Sequence, residues 1–208
     1  YAPDPSSQQA CTIGGNIAEN SGGPHCLAYG VTTNHVLGIE VVDADGEISW
    51  YGGRTREHPG YDLRGIMIGS EGTLSIVTKA ILRLSRKPES VKTLLAIYQD
   101  LDQASAAVSA VISSGIVPAA MEMMDDLAIK AAEPAVNAGY PENAGAVLLV
   151  EVEGIAELVE EDVADIEKVM SKYNPLEIRT AKTELDRTKL WAGRKGALGA
   201  LGRLAPNY

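Results

Sequence analysis

The sequence predicts an α+β protein, and two observations carry that prediction. Residues 1–86 are rich in glycine and β-branched residues and contain few helix signals, which is typical of a region made mostly of sheet. Residues 88–208 alternate strand-like apolar runs with helix-like segments, as in ferredoxin-like α+β domains. The polar run at 86–89 (RKPE) separates the two patterns, so we expect one domain over 1–87 and a second over 88–208.

The first half contains a predicted hairpin and two later apolar runs. Residues 36–42 (VLGIEVV) have the pattern of a buried strand, and 47–51 (EISWY) of its partner. Between them, 43–46 (DADG) ends in the Asp-Gly pair that tight turns favour. The short apolar run 65–69 (GIMIG) belongs to the same mostly extended half, and residues 73–84 (TLSIVTKAILRL) are predicted to form a further β-branched strand.

The second half yields eight predicted elements. Strands are expected at 92–98, 146–152 and 176–181, and helices at 102–113, 127–136, 156–173 and 184–204. Residues 116–124 are predicted to be extended, and Pro118 within them indicates an edge or irregular strand. The acidic residues of the helix at 156–173 are interpreted as its solvent-exposed face.

Composition limits the classes of partner and compartment. The net charge is -10, and residues 151–167 carry eight acidic and no basic side chains, which argues against a nucleic-acid partner. The sequence contains no apolar run of transmembrane length and no signal-peptide pattern at 1–9, and its two cysteines match neither a disulfide framework nor a zinc signature. We therefore expect a cytoplasmic protein whose membrane association, if any, is through partner subunits. Because the chain starts at Tyr1 rather than Met, we also expect a fragment.

Two glycine-rich loops are the main candidates for a binding site. Residues 11–23 (CTIGGNIAENSGG) hold four glycines, and a flexible linker would not need the apolar residues among them. The spacing is neither that of a P-loop nor that of the Rossmann fingerprint, and it leaves turn geometry and a ligand cradle as open alternatives. A second loop at 69–74 (GSEGTL) favours one extended ligand, such as a cofactor with a pyrophosphate and two ring systems.

The sequence resembles the vanillyl-alcohol-oxidase family of flavoproteins, which have a PCMH-type FAD-binding domain. The segments that carry the resemblance are 5–23, 25–47, 60–84, 115–133, 138–154 and 189–208, so it covers essentially the whole chain. Within the family, they are most similar to glycolate oxidase flavoprotein subunits and D-lactate dehydrogenases. The resemblance implies the C-terminal part of an FAD-binding domain at 1–87, followed by an incomplete ferredoxin-like cap domain at 88–208.

The resemblance also implies which residues contact FAD. The segment from Ser6 to Thr12 would line the cofactor, and turns at 14–16 and 20–22 would offer backbone N–H groups to the pyrophosphate and flavin. The segment 71–77 would hold the adenosine side, largely through the main chain at Ile76, although Ser75 stands where the family has a glycine. The full set of cofactor residues expected in this way is Ser6, Ser7, Cys11, Thr12, Gly14, Gly15, Asn16, Asn20, Ser21, Gly22, Glu71, Gly72, Thr73, Ile76 and Val77.

The implied reaction is oxidation of a small D-2-hydroxy acid, such as glycolate or D-lactate, by hydride transfer from Cα to flavin N5. Arg194 matches the family position that faces the substrate carboxylate, and a guanidinium suits that bidentate contact. The electrons would pass to an acceptor or partner subunit other than NAD. Two alternatives stay open: an FAD-linked oxidase of a sugar, lactone or aryl alcohol, and a non-catalytic ligand-binding module.

The family's downstream histidine pair has no counterpart in this chain. The three histidines, His25, His35 and His58, all lie in the first half. We therefore expect the catalytic and metal-binding histidines to lie beyond Tyr208, and the fragment alone to be inactive. In the second half, we interpret Asp125 and Asp126 as helix-entry residues, and Glu151 and Glu153 as solvent-facing strand residues.

Overall fold

The computed structural model describes residues 1–55, 60–141 and 143–202. The chain forms two compact units, Tyr1–Lys87 and Pro88–Tyr208. No helix in these described ranges is long and apolar enough to cross a membrane.

The first unit is a small antiparallel sheet with short helices. Its helices are α1 (Ile13–Ala18), α2 (Cys26–Tyr29) and α3 (Leu63–Met67), with a 3-10 turn at Thr32–Asn34, and its strands are β1 (Val36–Val42), β2 (Ile48–Gly52) and β3 (Ile76–Leu82). The strand order is β2-β1-β3, so the predicted hairpin is present. A small core of Ile17, Val36, Ile39, Val41 and Ile68 ties α1 to the sheet.

Two segments of this unit differ from the sequence-based prediction. The run 65–69 was expected to be extended, but most of it belongs to α3, which Asp62 caps by accepting a hydrogen bond from the Gly65 amide at 3.0 Å. Residues 14–16 were expected to form a turn, but they lie in α1, where the Thr12 hydroxyl caps the Gly15 amide at 3.1 Å. In both cases a capping side chain starts a helix of only five or six residues, which is too short for its apolar pattern to reveal.

The second unit is built on a four-stranded antiparallel sheet. Its strands are β4 (Ser90–Tyr98), β5 (Ala120–Asp125), β6 (Ala146–Gly154) and β7 (Glu177–Thr180), in the order β5-β6-β4-β7. Its helices are α4 (Leu101–Ser113), α5 (Asp126–Val136), α6 (Ala156–Met170) and α7 (Glu184–Leu201). This is the ferredoxin-like strand order, and β5 lies at an edge, as Pro118 indicated.

Helices cover both faces of this sheet. Leu94, Ala96 and Tyr98 pack with α4 and α6, whereas Leu95 and Ile97 pack with α5 and α7. The central strands β4 and β6 are therefore apolar on both faces, which explains their nearly continuous hydrophobic sequences. On α6, a buried apolar stripe turns the acidic residues outward, as predicted.

Candidate functional site

The two glycine-rich loops of the first unit are bonded to each other. The Gly69 amide donates to the Ile17 carbonyl at 2.9 Å, and the Glu71 amide donates to the Ala18 carbonyl at 3.0 Å. The second loop thus caps the C-terminal end of α1: it supplies the donor for the Ala18 carbonyl and a second donor for the Ile17 carbonyl, which also accepts from the Asn20 amide at 3.3 Å. Two segments about fifty residues apart in the chain therefore form one local surface.

The glycines of this surface have different structural roles. Gly22 and Gly23 are packed against the protein itself, because a Cβ at Gly23 would lie 2.2 Å from the Asp4 carbonyl oxygen. Gly69 and Gly72 have φ of 83° and 76°, the left-handed region that favours glycine. These four glycines are explained by turn geometry and packing.

Neither turn geometry nor packing explains the glycines at positions 14 and 15. Both are exposed in the first turn of α1, and the nearest atom that a Cβ would meet is the Thr12 Oγ1, at 3.9 Å and 3.4 Å respectively. A glycine inside a helix costs about 1 kcal/mol relative to alanine. The Gly15 amide is capped by Thr12, but both glycines leave exposed backbone without a Cβ at the start of a helix, where the first amides lack intrahelical acceptors.

Several of the remaining expected cofactor residues stabilise the loop itself. The Asn20 Oδ1 accepts from the Thr33 amide at 2.9 Å and from the Thr33 hydroxyl at 2.8 Å, and Asn20 has φ of 48°. The Ser21 carbonyl accepts from the Thr32 hydroxyl at 2.7 Å. Their side-chain and carbonyl bonds thus hold the loop against the 3-10 turn.

The other expected cofactor residues are mostly exposed. Ser6 and Ser7 are exposed, and the Cys11 Sγ accepts from the Asn16 side-chain amide at 3.6 Å. On the second loop, Glu71, Gly72 and Thr73 are exposed as well. Ile76 is 60% exposed at the start of β3, whereas Val77 packs against the core of the first unit.

The histidines of the first unit do not form a cluster with one another in the described residues. His25 occupies the N-cap position of α2 without a capping side-chain bond. His35 is buried, and its Nε2 lies 3.0 Å from the Tyr29 carbonyl, which is a structural contact. His58 falls outside the described residues.

In the second unit, Arg194 on α7 forms an ion pair with Glu122 on β5. The Arg194 Nε and Nη2 lie 2.8 Å and 2.6 Å from the same Glu122 oxygen, Oε2. The side chains are 33% and 20% exposed, respectively. The guanidinium is therefore oriented by the sheet beneath it.

Beside Arg194, α7 packs closely against the aromatic ring of Tyr140. A Cβ at Gly193 would lie 2.4 Å from the Tyr140 ring, so the helix approaches the ring more closely than alanine would permit. The Tyr140 hydroxyl donates to the Leu190 carbonyl. Burial, and then the nearby Glu133 carboxylate, raise the pKa of Tyr140, so the phenol stays protonated.

The prediction that Glu151 faces solvent was wrong. Glu151 is 1% exposed, and its Oε2 accepts from Thr93 Oγ1 at 2.6 Å, Trp191 Nε1 at 2.5 Å and Arg187 Nη1 at 3.2 Å. Glu151 lies two residues after Leu149, so both point to the face that α7 covers. A buried carboxylate is stable there because each donor compensates for lost hydration.

The aspartates at the end of β5 behave as predicted. Asp125 is the N-cap of α5 and accepts from the Ala128 amide at 2.8 Å. Asp126 pairs with Lys130 at 2.8 Å, and that hydrogen bond lowers the pKa of Asp126. They are helix-entry residues.

Comparison with known families identifies the kind of protein to which these surfaces belong. The family model described as "FAD linked oxidases, C-terminal domain" matches residues 87–208, and the model described as "FAD binding domain" matches residues 1–52. This chain belongs to the FAD linked oxidase family. FAD is the cofactor that both models name.

Relatives in this family include subunits of a known oxidase. The chain is 45% identical over 208 residues to the glycolate oxidase subunit GlcD of Escherichia coli strain K12, covering 100% of this chain and 42% of the relative. It is 47% identical over 207 residues to GlcD of Bacillus subtilis (99% and 44%), and 32% identical over 209 residues to a D-lactate dehydrogenase of Anaerostipes hadrus (97% and 44%). The chain therefore spans less than half the length of these relatives.

Solved structures show the same fold at low identity. An alkyldihydroxyacetonephosphate synthase matches with a TM-score of 0.74 at 20% identity, over 98% of this chain and 40% of that one. A p-cresol methylhydroxylase with substrate bound matches with a TM-score of 0.66 at 18% identity, over 90% and 44%. The fold is that of a partial PCMH-type FAD-binding domain followed by a ferredoxin-like α+β domain.

The residues of the first unit fit an FAD ligand. A diphosphate requires several donors at close range, and backbone N–H groups at glycines let an anion approach where a Cβ would obstruct it. Gly14 and Gly15 offer such exposed backbone, and Thr12 Oγ1 is the one described atom that a Cβ at either position would meet within 4 Å.

Proposed function

We propose that the protein containing this chain oxidises a small D-2-hydroxy acid of the glycolate or D-lactate type with FAD. The observation that carries the proposal is the exposed Gly14-Gly15 pair beside the second glycine loop, in a chain 45% identical to a glycolate oxidase subunit. When bound, FAD would supply a hydride acceptor, flavin N5, for the hydrogen on Cα of the acid, while the hydroxyl proton would pass to a general base of the full-length protein. The electrons then go to an acceptor or partner subunit other than NAD.

In this proposal the first unit binds FAD and the second unit binds the substrate. Residues 1–87 are the C-terminal part of the FAD-binding domain, and residues 88–208 are the cap domain that holds the substrate. In the first unit, the segments 6–16, 20–22 and 71–77 contact FAD, chiefly through backbone amides. In the second unit, Arg194 binds the substrate carboxylate, because a guanidinium fork matches the two carboxylate oxygens.

The reaction is tested with the full-length protein reconstituted with FAD. Glycolate, D-lactate and D-2-hydroxyglutarate are each assayed with an artificial electron acceptor, beside a sugar, a lactone and an aryl alcohol. We expect turnover of at least one of the three hydroxy acids, and no turnover of the sugar, the lactone or the aryl alcohol. Turnover of the sugar, lactone or alcohol alone would contradict the substrate class, and bound flavin without any turnover would support a non-catalytic module.

The FAD contact is tested by two alanine substitutions. In Gly14→Ala the new Cβ meets only Thr12 Oγ1, at 3.9 Å and without a clash, so the free protein should keep its thermal midpoint, or gain the roughly 1 kcal/mol of helix propensity. FAD affinity, measured by quenching of flavin fluorescence, should fall about tenfold or more, because the new Cβ occupies the approach to the amides. Gly23→Ala is the control, since its clash with Asp4 lowers the thermal midpoint whether or not FAD is added. Unchanged FAD affinity in Gly14→Ala would contradict the proposed contact.

A further inference from the structure

We propose that Glu122 is a positioning residue for Arg194: it holds one edge of the guanidinium and leaves the other edge for the substrate carboxylate. The proposal rests on the proposed function, in which Arg194 binds that carboxylate. It adds a residue on a different element, β5, to the substrate site.

The geometry of the pair separates the two edges of the guanidinium. The Arg194 Nε–H donates to Glu122 Oε2 at 2.8 Å, and Nη2 lies 2.6 Å from the same oxygen in an ion pair. The terminal edge formed by Nη1 and the second Nη2–H is not used by this contact, and that edge is itself a bidentate fork. Glu122 and a bound acid can therefore share one guanidinium.

The position of Glu122 on the sheet explains why the pair is well placed. Glu122 alternates with Ala120 and Met124, both of which belong to the apolar core beneath α5 and α7. A carboxylate on that face is costly without a partner, so the charged pair forms a fixed point between β5 and α7. Arg194 is a long side chain with many rotamers. Because Glu122 already restricts its rotation, less conformational entropy is lost when the substrate binds.

Glu122 affects the substrate in two ways: through its charge, which acts on binding, and through its anchoring of Arg194, which acts on binding and on kcat. Its negative charge repels an anionic acid on the far edge of the guanidinium, so its removal favours binding. Its anchoring keeps the guanidinium in one orientation, so its removal leaves Arg194 to be ordered when the acid binds, which offsets the lost repulsion, and it misaligns the acid in the chemical step. A positioning role therefore predicts a loss in kcat with little change in the affinity for an anion.

The test uses the full-length FAD-loaded protein and four variants: Glu122→Gln, Arg194→Gln, the double variant, and Glu177→Gln as a matched control. Glu177 is also a strand glutamate paired with an arginine, Arg179 at 3.3 Å, but on the opposite edge of the sheet. Steady-state kinetics with glycolate or D-lactate give kcat and KM. Oxalate, a non-reacting dianion, is titrated by its perturbation of the flavin absorbance, and circular dichroism gives the thermal midpoint.

We expect Glu122→Gln to lower kcat about tenfold or more and to change the oxalate Kd by less than about threefold, with a thermal midpoint like that of the control. In the Arg194→Gln background, Glu122→Gln should have almost no further effect on kcat, because it acts through that arginine. The control should match the wild type.

Three results would overturn the proposal. An unchanged kcat with tighter oxalate binding would make Glu122 a competitor of the substrate, and additive effects in the double variant would make it independent of Arg194. A loss of kcat matched by a lower thermal midpoint would make it a structural residue. If no hydroxy acid reduces the wild-type flavin, the proposed function itself fails, an outcome that is visible before any variant is made.

Discussion

The buried Glu151 network gives the most quantitative prediction, through the substitution Glu151→Gln. The change keeps the shape of the side chain but replaces the charged acceptor with a neutral one. Hydrogen bonds to charged groups contribute about 1.5–3 kcal/mol each, against about 0.5–1.5 kcal/mol for neutral pairs. The two short bonds from Thr93 and Trp191, at 2.6 Å and 2.5 Å, should each lose about 1 kcal/mol.

The third donor, Arg187, contributes less. Its side chain is 29% exposed, and it also bonds Glu184 at 2.6 Å, so its charge is not left without a partner. Glu184 is also the first cause of the raised pKa of Arg187, ahead of Glu151. The total expected loss in the free energy of unfolding is therefore about 2–3 kcal/mol, below the 3–5 kcal/mol typical of a fully buried pair broken on one side.

The assay is urea unfolding of this chain, followed by tryptophan fluorescence. The sequence contains two tryptophans, so Trp50→Phe leaves Trp191, which contacts Glu151, as the only reporter. Glu161→Gln on the exposed face of α6 is the control and should change stability by less than about 0.5 kcal/mol. A loss below 1 kcal/mol for Glu151→Gln, or one equal to the control, would refute the argument that this carboxylate anchors α7.

Three further predictions concern other parts of the chain. Gly193→Ala should destabilise the second unit by about 1–3 kcal/mol, because its Cβ would overlap the Tyr140 ring, and thermal unfolding measures the loss. Asp125→Ala should cost about 1 kcal/mol through loss of the α5 cap, whereas Asp125→Asn should retain most of it in the same assay. The hydrogen bond from Lys79 lowers the pKa of Glu40 below its ordinary 4.5, so its stabilising effect is present above pH 4.5 and is lost as the pH falls through the lowered value. Glu40→Gln should therefore make unfolding less dependent on pH in that acidic range, and an unchanged pH profile would contradict the contact.

Most of the fold could be predicted because its signals are local. β1 has the same bounds as predicted, and the elements of the second half lie within a few residues of their predicted positions. The errors fall where a capping residue outweighs composition, as at Thr12 and Asp62, because helices of five or six residues carry too little periodicity to detect.

Less of the candidate site could be predicted from the sequence, because it depends on contacts between residues far apart in the chain. The two loops could be recognised separately, but the bonds from Gly69 and Glu71 to α1 are long-range contacts that no spacing encodes. The same holds for Glu151, whose donors Thr93 and Trp191 lie 58 and 40 residues away. From sequence alone, a glutamate in an apolar strand is predicted to face solvent, because the helix that covers it is not yet known.

The most direct test of the account is anaerobic mixing of the full-length FAD-loaded protein with glycolate and, separately, with D-lactate. The account predicts that at least one of these acids bleaches the oxidised flavin absorbance at a rate that saturates with acid concentration, without NAD. A flavin that stays oxidised with both acids, or a protein that retains no flavin after reconstitution, would contradict it.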